Sequence, residues 1–89
     1  MKLPQTELFD HLKLIIEKLG VTYQEHSFRA TSIRVQSGLC LVRGDLFFIM
    51  DKRKKLRDKN RILGRTLSQM DLDTVHIPPM VREFIEGER

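Results

Sequence analysis

Two apolar runs, Leu39–Val42 and Leu46–Met50, flank the tripeptide Arg43-Gly44-Asp45 near the middle of the chain. Gly44 permits the positive φ of a tight turn, so the pattern predicts two antiparallel strands joined as a hairpin. Neither run alternates with polar residues. Leu39, Leu41, Leu46, Phe48 and Met50 would share one face; Cys40, Val42, Phe47 and Ile49 would share the other. Strands that are apolar on both faces need cover on both. Helices on either side, or a helix on one side and a second subunit, would supply it. The hairpin is therefore expected to be the centre of the fold.

The flanking segments supply helices. Over residues 4–19, Leu8, Leu12, Ile15, Ile16 and Leu19 recur at helical spacing, with Phe9 at the margin and Asp10, Lys13 and Glu17 opposite. Pro4 suits the first turn and Gly20 the position just past the end. Leu14 falls on the polar side. Val21–Phe28 predicts a half-covered edge strand with Val21 and Tyr23 inward and Thr22, Gln24 and His26 outward. Residues 29–32 resemble a loop, and Ile33–Gln36 alternates as a short strand would. From Lys54 to Met70 helical spacing returns, with Leu56, Leu63, Leu67 and Met70 on one stripe and Lys54, Arg57, Arg61 and Arg65 opposite. Gly64 weakens such a helix by roughly 1 kcal/mol relative to Ala. Thr74–Ile77 is a candidate short strand. Pro79 can open a last helix with Met80 or Val81, Phe84 and Ile85 inward, fraying from Glu86.

This order predicts one α+β domain over residues 1–89, an antiparallel sheet of three to five strands around the hairpin, two longer helices and a short C-terminal one. A 40% hydrophobic fraction over 89 residues is enough for a core. No apolar run approaches the length of a membrane span, and the N-terminus leads into a helical pattern rather than a signal-peptide core. With one cysteine and no internal disulfide to form, the expected setting is cytoplasmic.

Charge changes the picture in the second half. Residues 45–70 carry eight Lys/Arg against three Asp/Glu, a balance of +5, and residues 71–89 carry two against five, a balance of −3. The basic stretch, Lys52 to Lys55 and then Arg57, Lys59, Arg61 and Arg65, could follow a phosphate backbone. Asp51 and Asp58 interrupt it, no aromatic offers a stacking platform, and no nucleic-acid-binding signature is present. A solvated face that leans on the acidic tail explains the same residues. Lys54, Arg57, Arg61 and Arg65 are the candidates for nucleic-acid contact.

Other chemistry has less support. His11, His26, His76 and Cys40 show no metal-ligand spacing, and Cys40 in an apolar strand is expected to be a buried, inert thiol. Asp71 with Asp73, and Glu83 with Glu86, are not made general acid and base by spacing alone. An enzyme would have to converge groups such as Arg29, Ser32, Arg34, His26 and His76. Arg43-Gly44-Asp45 spells an adhesion tripeptide, which turn chemistry explains. No motif implies a cofactor or a metal.

Gly38-Leu39-Cys40, Arg43-Gly44, the strand ending in Asp51, a helix, and the terminal Val75-His76-Ile77-Pro78-Pro79-x-Val81-Arg82 together resemble a group of small uncharacterised bacterial proteins, over about the last fifty residues. That resemblance implies no activity. The glycine-led strand, tight turn, and apolar strand ending in Asp before a helix more loosely resemble the ImmA/IrrE-type zinc peptidase domain. In that family the helix holds a His-Glu-x-x-His motif. Here it reads Arg61-Ile62-Leu63-Gly64-Arg65-Thr66-Leu67-Ser68-Gln69-Met70, without His or Glu, so the resemblance implies a scaffold without the metal.

The reading that follows is a small non-enzymatic domain that binds another macromolecule. A protein partner or a second copy of the chain is favoured, and the alternative is nucleic acid at the basic helix. A peptidase scaffold without zinc is a second alternative.

Overall fold

A computed structural model describes residues 3–27 and 38–89. Its elements are α1 (Gln5–Lys18), β1 (Thr22–His26), β2 (Gly38–Val42), β3 (Asp45–Asp51), α2 (Leu56–Ser68) and α3 (Pro79–Gly87). The chain is α+β.

The α1 helix ends as its sequence predicts. Gly20 takes φ +86°, its N–H donates to the Glu17 carbonyl, and the Val21 N–H donates to that of Ile16. This is the Schellman arrangement, in which a left-handed glycine satisfies the last carbonyls and delivers the next apolar residue to the core. Val21 is buried, and β1 starts at once. Leu8, Leu12, Ile15 and Ile16 are buried on one face of α1, and Leu14 is exposed on the other.

The sheet order is β1-β3-β2. β2 and β3 form the antiparallel hairpin, with Leu39 opposite Phe48 and Leu41 opposite Leu46. β1 lies parallel to β3, with Tyr23 beside Phe48 and Glu25 beside Met50. The sheet is therefore mixed, not antiparallel as expected, and it has three strands among the described residues. The hairpin as a unit is not its centre: among the described residues β3 alone is central, and β2 is an edge. The chain leaves β1, enters the far edge, and then returns to fill the gap between its first two strands. Val75 and Ile77 are buried as alternation suggests, but residues 71–78 form an irregular segment rather than a strand. The suggested strand at residues 33–36 lies outside the described residues.

The helices pack on one face of the sheet. Phe48 and Met50 of β3 join Leu12 and Ile16 of α1, Leu63 and Leu67 of α2, and Val81 and Ile85 of α3 in one core. Among the described residues, helices do not enclose the hairpin on both faces, so that form of the expectation fails. Leu39, Leu41 and Val42 are exposed, at 45%, 70% and 46% of their surface, and Cys40 is an exposed free thiol rather than a buried one. Leu39 and Leu41 do face the helical side, but β2 lies at its margin, where α2 comes near yet leaves both leucines exposed. Phe47 and Ile49 point to the opposite face and stand outside the core.

Gly64 has a role that propensity alone hides. A Cβ there would lie 2.7 Å from Cε2 of Phe84 and 3.3 Å from Cγ of Glu88, so the missing side chain is what lets α3 close on α2. Gly64→Ala gains roughly 1 kcal/mol of helix propensity but meets an overpacking cost of about 1–3 kcal/mol. We expect a net loss of about 1 kcal/mol in denaturant melts, abolished when Phe84 is also shortened to Ala. Additive single and double variants would refute the contact. α3 keeps its helix through Gly87, one residue beyond the predicted start of fraying.

Candidate functional site

The described surface offers three features with chemical content. The first is apolar. The turn Arg43-Gly44 holds φ values of 51° and 85°, the pair of positive angles that a two-residue hairpin needs. That turn fixes the register and places Val42 opposite Asp45 and Cys40 opposite Phe47. On the face away from the helices stand Cys40 and Val42 of β2 and Phe47 and Ile49 of β3, beside Thr22 and Gln24 of β1. No described helix covers that face. The outer edge of β2 has no strand beside it among the described residues.

The second feature is the basic stretch. Arg57, Arg61 and Arg65 follow one another at one-turn intervals on the solvent side of α2, and Lys54 precedes the helix. They are not a free cationic row. Arg61 Nε lies 3.7 Å from Oε1 of Glu88 on α3, so the acidic tail does lean on the basic segment. Arg57 and Arg61 also line an open cleft of about 850 Å³, together with Glu83, Glu88, Met80 and Phe84. Equal numbers of acids and bases line the cleft, which leaves little net attraction for an anion there. Val81 and Ile85 are buried, so α3 turns its apolar face into the core, as its spacing predicts, while Met80 stays exposed.

The third feature was not foreseen from the sequence. The Tyr23 hydroxyl donates to Oε2 of Glu25 at 2.6 Å, and Lys59 Nζ donates to Oε1 of the same carboxylate at 2.9 Å. The Tyr23 ring stacks on Phe48 at 6.1 Å between centroids and meets Phe9 edge-on at 5.8 Å, with Lys13 Nζ 5.7 Å from its centre. Spacing does put Tyr23 and Glu25 on one face of β1, but Lys59 joins them only through the packing of α2. Burial, followed by the hydrogen bond and charge of Glu25, pushes the Tyr23 phenol far above its ordinary range. Burial pushes the Glu25 carboxyl upward too, but the hydrogen bonds from Tyr23 and Lys59 outweigh it and hold the group below its ordinary value. A phenol that keeps its proton and a carboxylate that keeps its charge form a clamp between β1 and α2. They do not form an acid–base pair poised near neutrality.

Tyr23 is the one tyrosine and the chain has no tryptophan, so its titration can be read without interference. The raised phenol contributes stability that is whole below about pH 10, the unfolded value, and that is lost as pH rises above it. The lowered Glu25 contributes stability that is present above about pH 4.3 and lost as pH falls through its folded value. We expect no phenolate absorbance near pH 10 in the folded protein, and its appearance only with alkaline unfolding. Glu25→Gln should bring the step down toward the ordinary value. A reversible phenolate step near pH 10 in the intact fold would show that the clamp is absent.

The remaining candidates do not converge. His26 and His76 are exposed, and the His26 ring nitrogen lies 3.0 Å from the Gln24 amide oxygen. Arg29, Ser32 and Arg34 lie outside the described residues. No group of three or more His, Cys, Asp or Glu among the described residues could hold a metal ion. No helix among the described residues is long and apolar enough to cross a membrane. Compared with models of known protein families, with curated proteins and with solved structures, the chain matches none.

Proposed function

We propose that this chain is a small non-enzymatic binding module whose working surface is the part of its sheet that no described residue covers: the β2 edge and the face built from Cys40, Val42, Phe47 and Ile49. The observation that carries this reading is the exposure of Leu41, at 70%, in a five-residue strand without a single charge. Isolated exposed leucines are ordinary, but here four consecutive apolar residues, Leu39 to Val42, are exposed together. Proteins that leave an edge strand unused normally blunt it with lysine, proline or a bulge, and this one does none of these. Strand addition at such an edge takes its affinity from backbone hydrogen bonds and its selectivity from the alternating side chains.

A photoreactive side chain placed at Leu41 tests the reading against one at Leu14, which is also exposed but lies on α1. Discrete protein adducts should form from Leu41 and not from Leu14. Equal yields at the two positions would overturn it.

A second reading, nucleic-acid binding, draws on Arg57 and Arg65, which have no acidic partner within ion-pair distance among the described residues. Affinity for DNA or RNA should then fall steeply with salt, and reversal of Arg57, Arg61 and Arg65 to Glu should abolish it. The absence of binding at low salt removes this reading.

A further inference from the structure

We infer that the occupant of the β2 edge is a second copy of this chain, joined through antiparallel β2–β2 pairing about a two-fold axis at Cys40. The inference rests on the reading of that edge as a docking surface and adds the identity of the partner.

The hydrogen-bond phase of the hairpin carries the argument. In a hairpin with a two-residue turn, the residues flanking the turn exchange backbone hydrogen bonds, and the pairs then alternate. Val42, Cys40 and Gly38 therefore direct their N–H and C=O groups toward β3. Leu39 and Leu41 direct theirs outward to the open edge. A two-fold at Cys40 sets Leu39 of each copy opposite Leu41 of the other, so the outward groups of both copies meet in register. Gly38 lies opposite Val42, and the whole strand is used. A two-fold at Leu39 or Leu41 would leave part of the strand unmatched.

Side chains and charges agree with this register. Leu39 and Leu41 share the helical face of the sheet, and each would cover the other across the seam. The strand is uncharged, so identical strands bring no like charges together. The nearest flanking charge among the described residues is Arg43, and the two-fold places its two copies about 20 Å apart, beyond the screening length of about 8 Å at physiological salt. Five residues give a seam about 17 Å long and bury on the order of 400 Å² per copy, about half of the roughly 800 Å² of a standard stable interface. The dimer is therefore a weak, concentration-dependent one. Its product is a continuous six-stranded sheet with the Cys40, Val42, Phe47 and Ile49 face doubled.

Cys40 reports on the pairing. In this register it faces its own symmetry mate in a non-hydrogen-bonded pair, with Cα atoms about 4.5 Å apart, within the range that a disulfide accepts. The test is sedimentation of the purified chain across a concentration series, amide exchange at Leu39 and Leu41, and treatment with diamide. Diamide takes up the two electrons and two protons released as two Cys40 thiols join. We expect a monomer–dimer equilibrium, slower exchange at Leu39 and Leu41 as concentration rises, and a diamide-linked dimer that Cys40→Ser cannot form. Cys40→Ser should still dimerise reversibly. Leu41→Lys should weaken association at least tenfold without changing the melting temperature of dilute, monomeric protein, and Leu14→Lys should leave association unaltered. A monomer at all concentrations with fast exchange at both leucines overturns the inference and leaves the edge open to a different protein. A monomer with slow exchange at both leucines overturns the inference and the docking surface together. A dimer that survives Leu41→Lys and gives no diamide-linked species also overturns the inference, because its interface lies elsewhere.

Discussion

Phe48→Ala is expected to cost about 3–5 kcal/mol, the range for truncating a buried aromatic. Phe48 is the largest fully buried side chain among the described residues, stands on the central strand, and carries the Tyr23 ring on one side. Its removal opens a cavity at the point where β1, β3 and the helices meet, and it takes the support from beneath the Tyr23–Glu25–Lys59 clamp. A domain of this size holds roughly 5–13 kcal/mol in all, so the loss is a large part of the total. The melting temperature should fall by roughly 15–30 °C. The informative control is its neighbour. Phe47→Ala removes the same atoms from the other face of the same strand, where the ring is only half-buried and outside the core. We expect it to cost less than about 1.5 kcal/mol. Equal losses at Phe47 and Phe48, read by denaturant unfolding of dilute protein, would mean that both faces of β3 are covered in the monomer. The one-sided arrangement of the helices would then be wrong.

The second large effect is expected at Asn60, where two substitutions of similar size should have very different consequences. Asn60 is fully buried on α2, and its Nδ2 donates to the backbone carbonyl of Gln5 at 2.9 Å and to the Gln5 side-chain oxygen at 2.7 Å. Both partners are acceptors, which fixes the orientation of the amide and leaves Oδ1 without a partner among the described residues. Asn60→Asp replaces the donor with a charged acceptor facing two acceptors, and an uncompensated buried charge costs about 3–5 kcal/mol. Burial would raise the folded pKa of the new carboxyl. The variant should therefore be least impaired below about pH 3.9, where the unfolded carboxyl is also protonated, and should lose stability as pH rises above that value. Asn60→Leu removes both the donor and the orphaned acceptor at similar volume, and exposed Gln5 can hydrogen-bond to water instead. We expect a change of less than about 1 kcal/mol in either direction. Urea melts of the two variants at acidic and neutral pH check both claims. If the stability loss in Asn60→Asp does not depend on pH, water already reaches this site.

The buried Asn60 contact is not legible in the sequence. Asn60 sits on the apolar stripe between Leu56 and Leu63, and nothing in its spacing separates a buried asparagine from one at the margin. Its partner is 55 residues away, at the start of α1. The Tyr23–Glu25–Lys59 clamp has the same character. Of the nucleic-acid candidates, the helical period correctly placed Arg57, Arg61 and Arg65 on one solvent face. The ion pair from Arg61 to Glu88 and the shared cleft with Glu83 depend on how α3 crosses α2, and Gly64 permits that crossing.

What the amino-acid order determined was everything that depends on neighbours along the chain. The faces of α1 and α2, the stop at Gly20, the turn at Gly44, the start of α3 at Pro79 and the division of β2 and β3 into two faces all follow from backbone geometry within a few residues. Tertiary structure alone decided that β1 lies beside β3. A parallel partner for β3 requires the chain to return between its first two strands, and no local pattern encodes that path. The same choice put β2 at an edge. An apolar strand has the same sequence whether protein or solvent lies beside it, because hydrophobicity gives the benefit of burial and not the position of the layer that provides it.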